Sequence, residues 1–267
     1  AAIAAAPIYN NEGVVVITPS ATSPALTEGK NFHFIFRTIG RDDQQGPAAA
    51  KFIINKAKPK KVAVLHDKQS YGQGIAASVR DELKKANVEV ALFEGINAGD
   101  SDYSAVITKL KSAGADFVYY GGYHPEMGLL LRQAAEQGLK VRMMGPEGVG
   151  NPEINAIAGN AVEGMLVTLP ADPASKPENA ALVKAFKDKG RDPSGAFQMG
   201  AYTATQVLAQ SIKAVGDDAE KVADYLHKTT FNMPTGNVAW DAKGDLKAFD
   251  FPVYSWHKDG SKSVAEK

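Results

Sequence analysis

Three residues beside glycine-rich turns carry the chemistry that stands out in this chain: Tyr71 in DKQSYGQG, Tyr123 in YYGGYHPEMG and Glu147 in MGPEGVGN. An aromatic ring near a carboxylate, with glycines that let the backbone come close, suits a small cationic or zwitterionic ligand. A second group is rich in hydroxyls, with Ser20, Ala21 and Thr22 lying between the two prolines of TPSATSP. Phe197, in DPSGAF, adds an aromatic at the start of a helical pattern. Together they supply what an α-amino acid needs: hydroxyl and backbone donors for a carboxylate, a carboxylate and carbonyls for an ammonium, and aromatic walls. Each also has a purely structural reading. Serine and threonine between prolines close turns, a tyrosine at a helix start packs, and Phe197 would be core.

The catalytic signatures searched for are missing. The chain holds no G-x-S-x-G, no G-x-x-x-x-G-K-[ST], no H-E-x-x-H and no complete G-x-G-x-x-G. His33, His66, His124, His227 and His257 lack metal-ligand spacing, and each reads as a helix end, a loop or a solvated surface. The pair Asp42-Asp43 follows Arg41 and reads as hinge or helix cap rather than acid/base machinery. No catalytic residue, metal or cofactor is assigned, and the expectation is a binding protein, not an enzyme.

The elements that would position these residues follow from the pattern. Residues 116–148 compress two strand exits: 116–120 is a buried strand ending at Gly121-Gly122, and 140–144 is a strand ending at Gly145-Pro146. From residue 61 the pattern is βαβα, with strands at 62–65, 88–93, 117–120, 141–144 and 164–168. Helices separate them at 72–86, 103–113, 125–137 and 151–158. In an open parallel sheet ligands meet the loops at the carboxyl ends of strands, which places Tyr123 and Glu147 near one crevice. Upstream lie the end of a helix at 1–9, strands at 12–18 and 34–37, and a helix over 47–57 begun by Pro47. Downstream, a proline-bearing linker at 169–177 leads to helices at 178–189, 196–215 and 219–228, a hairpin at 231–240, a charged turn at 241–246 and a last strand at 251–256. That strand contains Pro252 and is expected at a sheet edge. The three late helices need a sheet to cover, and the unassigned strands are those near residues 14 and 34.

Composition narrows the class. With 267 residues, 44% of them hydrophobic, the chain can bury a sizeable core in one large or two modest domains. Thirty basic residues balance thirty acidic ones, so overall charge points to neither nucleic acid nor an anionic membrane. The absence of cysteine removes disulfides and thiolate chemistry. No apolar run reaches the roughly 18 residues of a membrane span, and the first residues lack the form of a secretory signal.

TPSATSPAL, FRTIGRDDQQGP, VLHDKQSYGQG, DFVYYGGYHPEMG, MGPEGVGN, DPSGAF and WDAKGDLKAFDF together resemble the periplasmic leucine/isoleucine/valine-binding proteins of ABC importers. The resemblance covers essentially the whole chain. It implies an α/β, two-lobed periplasmic-binding-protein fold (type I), each lobe a doubly wound, mostly parallel sheet. Lobe I maps to 1–41 plus 171–248 and lobe II to 42–170 plus 249–267. It also implies a periplasmic protein that takes leucine, isoleucine or valine in an interlobe cleft and hands the closed form to a membrane ABC permease. Hinges would lie near 40–43, 169–172 and 246–250. By motif, Ser20 would offer a carbonyl to the ammonium, Thr22 its hydroxyl and amide to the ligand's polar end, and Glu147 the counter-charge, while Tyr71, Tyr123 and Phe197 shape the pocket. Family members begin about eighty residues earlier. The expectation is therefore an incomplete first lobe with its N-terminal strands missing, weakened binding, and a surface open to oligomerisation. Two alternatives stand beside this reading: an amino-acid-sensing module of a receptor, and a truncated, non-binding form.

Overall fold

The computed structural model describes residues 1–265; Glu266 and Lys267, the end of the expected second lobe, lie outside the described residues. The chain opens with α1 (Ala2–Asn11), which ends before Gly13 at φ +66°, and continues through β1 (Val16–Thr18), β2 (Ile35–Arg37) and α2 (Asp42–Phe52). Strands and helices then alternate: β3 (Val62–His66), α3 (Ser70–Lys85), β4 (Val90–Gly95), α4 (Ser104–Ala113), β5 (Phe117–Gly121), α5 (His124–Glu136), β6 (Arg142–Gly145), α6 (Ile154–Ala158) and β7 (Met165–Thr168). Next come α7 (Ala180–Lys187), α8 (Gln198–Val215) and α9 (Ala219–Lys228), the hairpin β8 (Phe231–Met233) and β9 (Gly236–Val238), and finally β10 (Val253–Trp256) and β11 (Lys262–Val264).

These elements form two compact units, Ala1–Arg41 with Pro170–Asp250 and Asp42–Leu169 with Phe251–Lys267. The second unit holds a seven-stranded sheet in the order β11-β10-β7-β6-β5-β3-β4. The strands β3 to β7 pair in parallel, and β10 joins antiparallel to β7. Every residue of β3 and of β5 is buried, which is why both read as apolar runs rather than alternating ones. One face packs Val62, Val64, Phe117 and Met144 against Ala49 and Ile53 near α2 and against Val79 and Leu83 of α3. Each such side chain contributes about 1.5–3 kcal/mol by leaving water.

In the first unit, β1 and β2 form a two-stranded parallel sheet. Phe34 and Phe36 pack with Val207 of α8, with Val222 and Leu226 of α9, and with Phe231 and Trp240. The late helices thus cover strands from the opposite end of the chain.

Three expectations need correction, and one strand goes beyond them. The last strand is not at the edge: β10 lies between β7 and β11, because Pro252 sits just outside the ladder, where its carbonyl accepts from the Leu169 N–H at 3.1 Å. β11 is unannounced in the sequence, since it is mostly exposed and lacks an apolar alternation. The helix expected over 47–57 begins at Asp42, with Pro47 inside it and two acids in its first turn, and its end widens into a π-helical turn at Ile53–Ala57. His66 is a buried strand terminus packed 5.2 Å from the Phe93 ring, not a surface histidine.

Candidate functional site

In the second unit, β3, β5 and β6 are parallel neighbours, so their exits open side by side and gather Tyr71, Tyr123 and Glu147. The Tyr71 and Tyr123 rings lie 5.2 Å apart at 41°. Glu147 opens a 3₁₀ turn, Glu147–Val149, and is 3% exposed. A buried carboxylate needs donors, and it has them: Gln45 Nε2 donates to Glu147 Oε2, and the Tyr71 hydroxyl bonds the same carboxylate. The Gly148 N–H reaches Tyr71 Oη at 3.4 Å. Glycine is required there, because a Cβ on Gly148 would lie 2.7 Å from the Gly122 carbonyl and 3.1 Å from the Tyr123 ring.

Two residues that the sequence reading left out belong to this cluster. Gln45 is wholly buried, and Asp42 is 5% exposed. Both stand on α2, three residues apart and hence on one face. The signal available is the spacing D-x-x-Q in RDDQQGP, masked because Pro47 reads as the first turn of the helix. Burial, followed by the charges of Glu147 and Asp42, pushes the hydroxyls of Tyr71 and Tyr119 well above the usual phenol range. Tyr123, half exposed, is raised in the same direction, first by burial and then by Glu147. Two buried carboxylates beside phenol rings make an electronegative, aromatic cluster suited to an ammonium group.

In the first unit, the loop after β1 is shaped from within. Thr18 Oγ1 accepts the N–H groups of Ser20 at 3.4 Å and of Ala21 at 3.2 Å. Behind the loop, Arg37 Nη1 donates to the carbonyls of Ala21 at 2.8 Å and of Ser23 at 3.3 Å. Ser20 is exposed, Ala21 is half-buried and Thr22 is 3% exposed. Phe197, half-buried, is the N-cap residue of α8. That helix start is fixed beside the loop, since Thr38 Oγ1 donates to the Gly200 carbonyl at 2.9 Å and a Cβ on Gly200 would sit 3.6 Å from Pro19. Ser20, Ala21, Thr22 and Phe197 therefore share one neighbourhood in their unit. Among the described residues, no group of three or more His, Asp or Glu side chains is arranged to hold a metal ion.

The family described as periplasmic binding protein matches residues 1–261. The chain belongs to that family. Among relatives of this periplasmic binding protein, the leucine-, isoleucine-, valine-, threonine- and alanine-binding protein of Pseudomonas aeruginosa is 58% identical over 96% of the chain and 69% of the relative. A leucine-binding protein of Thermotoga maritima superposes with a TM-score of 0.90 at 31% identity, covering 99% of this chain and 76% of that one. A branched-chain amino acid transporter substrate-binding protein of Streptococcus pneumoniae, solved with isoleucine, gives 0.87 at 27% identity over 99% and 75%. The fold is that of the type I periplasmic binding proteins, mixed α/β with a mostly parallel sheet.

Proposed function

We propose that this periplasmic binding protein is the extracytoplasmic substrate-binding component of an ABC importer and binds branched-chain amino acids without transforming them. The observation that carries the reading is the buried carboxylate of Glu147, held by Gln45 and Tyr71 at the edge of a tyrosine recess. It supplies a counter-charge for the ligand's ammonium, which in a drained site is costly to leave unpaired. The hydroxyl-rich loop of Ser20, Ala21 and Thr22 would take the polar end of the same ligand, and Phe197 would contribute apolar wall. Leucine and isoleucine appear in the names of similar proteins, which supports an aliphatic amino acid as the ligand. Closure of the two units on the ligand would present the loaded form to a membrane permease. The chain crosses between the units three times, and bending at those crossings would carry the motion. A periplasmic location follows from this role. Among the described residues, no helix is long and apolar enough to cross a membrane.

Thermal unfolding of the 267-residue chain with leucine, isoleucine, valine and, as control, lysine tests the proposal. Ligand at ~100 times its Kd stabilises by roughly 2.7 kcal/mol, so the melting temperature should rise with the branched-chain ligands and stay unchanged with lysine. Equal shifts with all four, or turnover of any of them, would sink it.

A further inference from the structure

The amino ends of the strands in the unit Asp42–Leu169 with Phe251–Lys267 carry a second polar site, remote along the strands from Tyr123 and Glu147. Met144, Leu166, Val253 and Ala265 belong to the apolar face under α2. Side chains two apart on a strand share a face, so Arg142, Ser255 and Ser263 continue that same face. There it changes from hydrocarbon to one cation and two hydroxyls. Ser255 and Ser263 are direct cross-strand partners, and the π-helical turn Ile53–Ala57 brings Lys56 over them. Between lies a cavity of about 470 Å³, lined by Lys56, Arg142, Ser255 and Ser263, with Phe52 and Ala265 on its apolar side.

The charged side chains that line the cavity, Lys56 and Arg142, are of one sign. The segment 51–61, KFIINKAKPKK, has five lysines and no acid, although the chain as a whole is neutral. Asp116 accepts the backbone N–H groups of Lys60 and Lys61, both at 2.9 Å. Lys56 and Arg142 are exposed, and among the described residues neither has an ion-pair partner. The Ser263 hydroxyl is held at the wall by His257 Nε2 at 2.8 Å, and His257 Nδ1 lies 2.9 Å from Glu163.

We infer that this cavity binds a phosphate-class anion, most fittingly a phosphate ester, between Arg142, Lys56 and the Ser255 hydroxyl. A guanidinium presents a planar fork to two oxyanion oxygens, and an ammonium adds a point charge. The Ser255 hydroxyl donates to an oxygen that remains. The two cations match a doubly charged phosphate group, and the volume falls in the range of small-molecule sites, leaving room for an organic substituent beside Phe52 and Ala265. The same chemistry would accept a soluble phosphate ester or the headgroup of an anionic phospholipid.

Calorimetric titration with glycerol 3-phosphate at constant ionic strength, with chloride as control, tests the site. Flotation with phosphatidylglycerol and phosphatidylcholine vesicles separates the two sources. Binding should weaken at least tenfold in Arg142→Gln and in Lys56→Gln and should persist in Lys187→Gln, an exposed lysine of α7. Both pocket positions are exposed, and unchanged circular dichroism would show that the variants fold. Phosphate-ester binding without flotation assigns a soluble ligand. Flotation with phosphatidylglycerol alone, lost in the two pocket variants, assigns a headgroup. No binding in either arm, or binding indifferent to Arg142→Gln, overturns the proposal.

Discussion

Arg37 Nε lies 2.7 Å from Asp245 Oδ1, a pair that is 0% and 4% exposed at its side chains. Asp245 also takes Arg41 Nη1 at 2.6 Å and the Thr27 hydroxyl at 2.9 Å, while Arg37 Nη2 donates to that hydroxyl at 2.8 Å. The guanidinium thus connects the Ser20-Thr22 loop to the turn 241–246. Gly244, at φ +80°, makes the approach possible, since a Cβ there would fall 1.9 Å from the Ile35 carbonyl. Removing Asp245 strands the Arg37 guanidinium in the interior, while removing Arg37 leaves Asp245 the charge of Arg41. Asp245→Leu should lower unfolding stability by about 3–5 kcal/mol in chemical denaturation, whereas the double variant Arg37→Met/Asp245→Leu should recover part of that loss. A single variant as stable as the parent would show that the pair does not hold the loop.

Glu147→Gln removes the counter-charge while keeping the shape. Leucine affinity should fall by about 2–5 kcal/mol, at least about 30-fold in Kd, with the ligand-free fold intact by circular dichroism. Gln45→Leu leaves Glu147 short of one donor and should cost about 1.5–3 kcal/mol of stability at neutral pH. Calorimetry and denaturation of the two variants separate the group that meets the ligand from the one that holds it.

Gly148→Ala would place a methyl against the Gly122 carbonyl and the rings of Tyr71 and Tyr123. Overpacking of this kind costs about 1–3 kcal/mol. The denaturation midpoint should drop, and leucine binding should weaken with it. An alanine variant with both properties unchanged would show that the recess has slack.

Tyr71, Tyr119 and Tyr120 hold their protons far above the usual phenol range, and Tyr103 is pushed up to about 12, with burial the first cause in each. An unfolded chain releases these protons near pH ~10, so between that pH and the folded values the native state binds more protons. Stability should therefore be intact below about pH 10 and fall as pH rises through that window. Phenolate absorbance should show these tyrosines titrating late, together with loss of structure. In Glu147→Gln, Tyr71 and Tyr119 should titrate earlier than in the parent, because the carboxylate is the largest cause after burial. All tyrosines ionising together in a folded protein would contradict the buried cluster.

Much of this was legible because it is local. Apolar runs ending in Gly-Gly or Gly-Pro mark the exits of β5 and β6, and the regular alternation of strand and helix from residue 61 announces a parallel sheet. Parallel order then brings Tyr71, Tyr123 and Glu147 together with no further information. The Ser20-Thr22 loop was visible from its prolines and hydroxyls. What stayed hidden depends on partners distant in sequence. Gln45 reads as a polar residue in a loop until α2 is seen to begin at Asp42 and to carry the amide onto Glu147. Arg37, a cation closing an apolar strand, gains its meaning from a carboxylate more than two hundred positions away, in what reads only as a charged turn. β11 has no apolar alternation and exists because β10 offers it backbone hydrogen bonds. The sequence by itself determined most of the strands and helices and where the exits of β5 and β6 lie, because those follow from hydrophobic period and turn residues. Only the tertiary structure decided which buried charges are neutralised and by whom, because such pairing is set by distance in space and by the cost of desolvation, and neither leaves a local mark on the chain.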